Sequence, residues 1–143
     1  MIIRQLLEDK GNIIWSIEPA ASVYDAIKLM ADKAVGALVV LEDEKLVGII
    51  SERDYARKVI LKGLSSKAIQ VKDIMTTRVL YIHPEQSVDE SMALMTEKRI
   101  RHLPVMENEK LVGLISIGDL VKSIIAHQQL TIKQLEQYIS GGY

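Results

Sequence analysis

Glycine, serine and aspartate recur at one spacing in two places along the chain. The first string is Gly48-Ile-Ile-Ser51-Glu-Arg-Asp54, and the second has Gly113, Ser116 and Asp119 in the same places. An ionised aspartate only accepts hydrogen bonds, so it could take both hydroxyls of a ribose 2′,3′-diol. Each string falls where a strand is expected to turn into a helix, whose first amides attract phosphate. Ribose and phosphate together describe a nucleotide.

The same spacing has a second interpretation that needs no ligand. Ser51 with Asp54, and Ser116 with Asp119, could form capping boxes that satisfy the first amides of a helix. Two observations favour a binding role. The motif occurs twice at equivalent positions, and basic residues lie near it in a chain whose formal net charge is only −1.

The basic residues differ between the two copies. Arg53 stands beside Asp54, whereas its counterpart in the second string is Gly118. Arg101 and His102 precede the second pair of predicted strands, where the first copy has a glycine and an alanine. Such residues are common on solvated surfaces, but in a cleft they would bind phosphate, arginine in a bidentate manner. We therefore expect two non-equivalent sites, and the phosphate end of the first depends on Arg53.

Both strings belong to a long internal repeat. A shift of 65 positions aligns residues 19–60 with residues 84–125 without a gap, and 18 of the 42 aligned pairs are identical. Each copy contains a short apolar segment, an amphipathic helix, two β-branched runs around a polar turn and a second helix. Two copies are too few for a solenoid. The sequence therefore predicts an α+β fold of two βαββα units packed about a pseudo-two-fold axis.

Local signals place the elements of each copy. Capping boxes beginning at Ser22 and Ser87 are expected to start the first helices. The β-branched runs predict hairpins over residues 37–50 and 103–115. Apolar residues at helical spacing predict a further, separate helix over residues 128–139, whose apolar edge could cover the module or a second subunit.

Composition excludes several classes of protein. The chain has no cysteine, so disulfides and thiolate chemistry are absent. The longest apolar run, residues 37–41, is far below the ~20 residues that span a bilayer, and the first residues lack the apolar core of a secretory signal. The near-neutral charge and the lack of phenylalanine argue against nucleic acid. We expect a cytoplasmic protein that binds neither membrane nor nucleic acid.

These motifs, with Ile-Met-Thr at 74–76 and Arg-His-Leu-Pro-Val at 101–105, make the chain resemble tandem CBS (cystathionine-β-synthase) domains. It is similar in particular to small stand-alone bacterial CBS-pair proteins, over about residues 12–127. The resemblance implies clefts that take adenosine-containing ligands: AMP and NAD(H) foremost, then ADP, ATP and S-adenosylmethionine. The expected divisions are a first CBS domain (1–66), a second CBS domain (67–127) and a C-terminal helix and tail (128–143).

Eight residues are candidates for ligand binding. The resemblance implies that the two aspartates hold ribose, that a serine hydroxyl lies one turn earlier, and that Arg101, with His102, meets phosphate. The full set is Ser51, Arg53, Asp54, Arg101, His102, Ser116, Gly118 and Asp119.

The expected function is a regulatory sensor and not an enzyme. The sequence shows no paired acid–base cluster and no glycine-rich Walker loop, and of its three histidines His83 and His127 have no obvious orienting carboxylate. We predict neither catalytic nor metal-ligating residues. The effector would be a separate, unidentified protein, and the chain is expected to form a homodimer. A dimeric interaction scaffold without a nucleotide is the alternative.

Overall fold

The structure, a computed structural model, describes residues 1–11 and 13–141. Helices and strands alternate along the chain in an order that repeats, which confirms the α+β class. The elements are α1 (Ile3–Lys10), β1 (Ser16–Ile17), α2 (Val23–Lys33), β2 (Ala37–Glu42), β3 (Lys45–Ser51), α3 (Glu52–Tyr55), a π-helical turn (Ala56–Ile60), a 3₁₀ turn (Val71–Asp73), α4 (Val88–Lys98), β4 (His102–Glu107), β5 (Lys110–Ser116) and α5 (Ile117–Ile139).

The chain divides into two units. The first unit contains residues 13–81, and the second contains residues 1–11 together with residues 82–141. Helix α1 therefore belongs with the second repeat, although it precedes the first repeat in the sequence. This grouping differs from the predicted first domain (1–66), because the apolar face of α1 completes the core of the other unit.

The two hairpins are built alike. Strands β2 and β3 pair antiparallel with Ala37 opposite Ser51, and β4 and β5 pair antiparallel with His102 opposite Ser116. Both hairpins carry a register irregularity at the same place, 65 positions apart, after Val40 in the first and after the equivalent valine in the second. Each turn has two central residues with positive φ, as two-residue hairpins require. The predicted hairpins are confirmed.

The short strand before each proline differs between the repeats. In the first unit β1 pairs parallel to β2, with Ser16 opposite Val39. In the second unit the expected strand is reduced to a single parallel bridge between Ile82 and Val105. The first sheet therefore has three strands and the second has two.

Equivalent positions of the two repeats form the two cores. Helix and strand residues 65 positions apart are buried in both units, and each core gains apolar residues from outside the aligned repeat. The first core contains Val23, Ala26, Met30, Leu38, Val40, Ile50, Val59, Val71 and Ile74. The second contains Ile3, Leu6, Leu7, Ile82, Val88, Met95, Leu103, Val105, Ile115 and Leu120.

The capping boxes predicted at the first helices form only in part. Ser22 Oγ accepts the amide of Asp25 at 3.0 Å, and Ser87 Oγ accepts the amide of Glu90 at 2.9 Å. In a complete box the acidic side chain would also accept the backbone amide of the serine. In the second copy the Glu90 carboxylate instead accepts from the Ser87 hydroxyl at 3.1 Å. The first helical amides of α2 and α4 donate to carbonyls of neighbouring segments, which supply the rest of the capping.

Helix α5 is continuous from Ile117 to Ile139. The prediction of a separate helix over 128–139 is wrong, because no glycine or proline interrupts residues 119–139. Most of the predicted C-terminal segment (128–143) is the second half of α5; its last two residues lie outside the described chain. Among the described helices, none is both long enough and apolar enough to cross a bilayer.

A glycine in the middle of β3 and of β5 lets a side chain from elsewhere pack on the hairpin. A Cβ added at Gly113 would lie 2.7 Å from a methyl of Leu7 on α1. A Cβ added at Gly48 would lie 2.7 Å from the sulfur of Met75 and 3.0 Å from the backbone oxygen of Thr76. The hairpins therefore need glycine here because a neighbouring segment lies directly on the strand.

We expect Gly48→Ala to destabilise the chain more than Gly113→Ala. The backbone near Gly48 cannot retreat easily, since Thr76 exchanges two hydrogen bonds with Ile49 (2.9 and 3.0 Å), whereas Gly113 faces the end of a leucine side chain. Overpacking of this kind costs about 1–3 kcal/mol. Urea unfolding of both variants measures the difference. An equal or larger loss for Gly113→Ala would contradict this account.

Candidate functional site

The junction between β3 and α3 is a complete capping box. Asp54 accepts the amide of Ser51 at 2.9 Å through Oδ2, and its own amide donates to Ser51 Oγ at 3.3 Å. The serine hydroxyl also donates to the same carboxylate oxygen at 3.1 Å. The capping interpretation of the first string is therefore confirmed.

The junction between β5 and α5 repeats this box. Asp119 Oδ2 accepts the amide of Ser116 at 2.8 Å, and the amide of Asp119 donates to Ser116 Oγ at 3.1 Å. The cap uses one carboxylate oxygen in each unit, and a carboxylate can accept about four hydrogen bonds. Capping and ligand binding are therefore compatible uses of the same aspartate.

A lysine contacts each of these aspartates, and neither lysine is among the residues predicted from the sequence. Lys58 Nζ lies 3.0 Å from Asp54 Oδ1 and donates to the carbonyl of Ile74 at 2.8 Å. Lys10 Nζ, at the end of α1, lies 2.7 Å from Asp119 Oδ2 and donates to the carbonyl of Leu114 at 2.6 Å. Each ammonium thus bridges the aspartate and a backbone carbonyl.

The two lysines reach equivalent positions from different parts of the chain. Lys58 follows Asp54 by four residues, a helical spacing that could have identified it in the sequence. The equivalent position in the second repeat is Ser123, and Lys10 supplies the ammonium from 109 residues away. No local signal in the sequence could have shown that contact.

Asp119 is ionised at neutral pH. Partial burial by itself would raise the pKa of this carboxyl, but hydrogen bonds from Lys10 and from Ser116 outweigh it, and the net pKa lies below the ordinary value. The second unit therefore holds a partly buried, charged acceptor at the beginning of a long helix.

The basic element of the second unit lies at the same junction. The carbonyl of Arg101 accepts the amide of Ile117 at 2.8 Å, and His102 opens β4 opposite Ser116. Gly118 lies in the first turn of α5, where an added Cβ would meet only Ser116 Oγ at 3.6 Å. The structure thus brings Arg101, His102, Ser116, Gly118 and Asp119 to one end of the second unit.

The first unit has the same backbone with fewer charges. The carbonyl of Gly36, the counterpart of Arg101, accepts the amide of Glu52 at 3.1 Å. Arg53 lies in the first turn of α3 between Glu52 and Asp54. Ser51, Arg53 and Asp54 therefore share one junction, and helix α3 gives way to a π-helical turn after four residues.

His102 is uncharged at neutral pH. Burial lowers the pKa of its imidazole to about 4, and the positive charges of Lys10 and Arg101 add to this effect against the opposing charge of Asp119. The resemblance to CBS domains predicts His102 as a companion of Arg101 in binding phosphate. In the structure it can offer a hydrogen bond to a phosphate, but no positive charge.

We expect stability to fall as the pH drops below about 6.5, because of His102. The unfolded imidazole takes up a proton near pH 6.5, whereas the folded one resists until about pH 4. The unfolded state therefore binds more protons in this window, and about 1–2 kcal/mol should be lost between pH 7.5 and pH 5. Urea unfolding of wild type and His102→Gln at both pH values isolates the contribution of His102 to the free energy of unfolding. An unchanged pH dependence in His102→Gln would contradict it.

The described residues also do not meet the requirements of a metal site. Among residues 1–11 and 13–141, no group of three or more histidine, aspartate or glutamate side chains is placed to hold a metal ion. The chemistry of the two junctions is that of hydrogen bonding and charge.

The chain contains two repeats of one strand–helix–hairpin–helix unit, and in each repeat an aspartate caps the helix that follows the hairpin. Such a pair defines a tandem regulatory module. The family model for the CBS domain matches residues 12–61 and again residues 71–126. The chain belongs to the CBS domain family and contains a pair of these domains.

Known proteins resemble the whole pair. A protein from Burkholderia ambifaria MC40-6, described as a signal-transduction protein with CBS domains, is 56% identical with a TM-score of 0.86, covering 90% of this chain and 96% of that one. The mitochondrial CBS domain-containing protein CBSX3 of Arabidopsis thaliana is 46% identical over 138 residues. That match covers 93% of this chain and 66% of the length of the Arabidopsis protein.

A more distant structure shares the fold. The CBS domain pair of protein MJ0100, in complex with 5′-methylthioadenosine and S-adenosyl-L-methionine, is 22% identical with a TM-score of 0.78. The match covers 89% of this chain and 98% of that one. At this identity the likeness shows the architecture alone.

Proposed function

We propose that the chain is a sensor that binds an adenosine-containing nucleotide and passes its state to a separate partner protein. The observation that carries the proposal is Asp119, an ionised and partly buried acceptor at the start of α5, with Arg101 at the same junction. A ribose diol would bind the aspartate, and a phosphate would lie near Arg101 and the first amides of α5.

The hydrogen bonds of Asp119 determine how a ribose would bind. The capping amide of Ser116 and the ammonium of Lys10 both contact Oδ2. The first ribose hydroxyl would therefore donate to Oδ1, and the second would compete with Lys10 for Oδ2. A phosphate group nearby would attract the displaced ammonium, so that a nucleotide exchanges one partner of Lys10 for another.

The second unit is the better site. In the first unit the Asp54 carboxylate uses Oδ2 in the cap and Oδ1 toward Lys58. Helix α3 gives way to a π-helical turn after four residues, whereas α5 is continuous over 23 residues. Glycine replaces Arg101 as well, which leaves Arg53 as the phosphate partner.

The nature of the phosphate end favours some adenosine ligands over others. The MJ0100 pair shows that this fold can hold adenosine compounds. Arg101 and the first amides of α5 would add binding energy only for ligands with phosphate, which favours AMP, ADP, ATP or NAD(H) over S-adenosylmethionine. We place AMP and NAD(H) first.

The proposal includes no catalytic role. Both aspartates already serve as helix caps and as partners of a lysine. The protein would act as a cytoplasmic homodimer on an effector that is itself the regulated molecule. An interaction scaffold without ligand is the competing function, and the complete capping boxes are the observation that favours it.

We expect Asp119→Asn to weaken AMP binding at least tenfold. Hydrogen bonds to a charged acceptor are worth roughly 1.5–3 kcal/mol each, and ~1.4 kcal/mol is a factor of ten. Asparagine keeps the shape and one acceptor oxygen, so the helix cap is largely preserved. Asp54→Asn is the matched control in the first unit and should have a smaller effect. Calorimetric titration with AMP and with NADH measures all three proteins.

Two results would overturn this assignment. If the wild-type protein binds no adenine nucleotide at millimolar concentration, the sensor function fails and the motifs are caps only. If it binds but neither substitution changes the affinity, the site lies elsewhere. Mass spectrometry of ligands released from protein purified without added nucleotide would identify the natural ligand.

We expect Lys10→Met to tighten the binding of adenosine several-fold. Adenosine has no phosphate that could bind the Lys10 ammonium, so removal of the ammonium frees Asp119 Oδ2 for the ribose. Lys58→Met makes the same change beside Asp54 and should affect only the weaker site. Titration of adenosine into each variant tests the competition, and an unchanged or weaker affinity in Lys10→Met would show that lysine and ribose do not compete.

A further inference from the structure

The second half of α5 exposes an apolar stripe that the fold leaves uncovered. Leu120 and the neighbouring Ile124 contribute to the core of the second unit, but residues 125–141 are all exposed. Ile132, Leu135 and Ile139 are 54%, 55% and 81% exposed. Exposed apolar surface that is contiguous along an element marks an interaction site.

The stripe has the heptad spacing of a coiled coil. Successive members are separated by four, three, four, three and four residues, and at 100° per residue they fall within an arc of about 80°. The members are Val121, Ile125, Gln128, Ile132, Leu135 and Ile139. The a positions of this pattern are all isoleucine, and the d positions are valine, glutamine and leucine. β-Branched residues at a with leucine at d favour two parallel strands.

The chemistry of the stripe indicates a second copy of this chain as its partner. Gln128 is the polar member, and its amide both donates and accepts, so the same residue of a second copy would satisfy it across a two-fold axis. An apolar partner helix would leave that amide unpaired. In a parallel pair Thr131 would lie opposite Glu136, and no two like charges would meet beside the stripe.

We propose that residues 121–139 of α5 form a parallel, in-register two-stranded coiled coil with a second copy of the chain. The helix begins inside a folded unit, so it is ordered before the copies meet, which reduces the entropy cost of pairing. The inference specifies the surface of the homodimer proposed above. It is independent of nucleotide binding, so either idea can fail without the other.

The helix contains a matched pair of residues for the test. Leu135 and Leu130 are both leucines of α5 and are both 55% exposed, but Leu130 lies on the opposite side from the stripe. Leu135→Glu should lower the dimerisation affinity at least a hundredfold in sedimentation equilibrium, whereas Leu130→Glu should leave it unchanged. Both changes place the same charge in the same helix, so loss of helicity would affect the two variants alike.

Cysteine scanning tests the orientation, because the wild-type chain contains no cysteine. Leu135→Cys should give a disulfide-linked dimer on mild oxidation, since an in-register parallel pair brings this position within reach of its own copy. Gln134→Cys, on the outer side of the pair, should not. Cross-linking of both variants equally, or of neither, would overturn the parallel pairing.

Three results would overturn the interface itself. These are a monomeric wild type at tens of micromolar, a dimer that survives Leu135→Glu, and equal loss of the dimer in Leu130→Glu. Titration of AMP into Leu135→Glu separates this inference from the proposed sensor function. If Leu135→Glu is a monomer that retains its AMP affinity, the sensor proposal does not depend on the coiled coil. If the wild type is a dimer that binds no AMP, the sensor proposal fails and the coiled coil stands.

Discussion

In both units, a side chain from outside the hairpin packs directly on a glycine of the hairpin. Leu7 lies on Gly113 and Met75 lies on Gly48, at distances that no Cβ would permit. The segment that carries this side chain covers the hairpin in each unit. In the second unit that segment is α1, which ends at Lys10, and the position of Leu7 therefore determines that an ammonium reaches Asp119.

Each unit is completed by a segment that lies just before the other repeat in the sequence. The 3₁₀ turn at Val71–Asp73 precedes the second repeat but belongs to the first unit, where the preceding Gln70 bridges to Ser22. Helix α1 precedes the first repeat but belongs to the second unit, where Ile2 bridges to Ser87. The two segments occupy corresponding places, so the symmetry of the repeats extends beyond the residues that can be aligned.

The two junctions share a backbone but differ in charge. Both aspartates cap a helix and both contact an ammonium, yet one lysine is local and the other comes from α1. The second junction also has Arg101 and the longer helix. A ligand that displaced Lys10 would act directly on the attachment of α1, whereas displacement of Lys58 would act on the π-helical turn and on its contact with Ile74. The units are therefore suited to unequal roles in a regulatory pair.

The sequence by itself determined the repeat, the two hairpins and the capped Ser–Asp junctions, because these depend on residues close together in the chain. It also identified the CBS family and its candidate site residues. Only the tertiary structure decided that α1 joins the second unit, that Lys10 contacts Asp119 and that burial keeps His102 uncharged. Periodicity shows that a face is apolar but not which core it enters. The environment of an ionisable group depends on neighbours that can lie a hundred residues away.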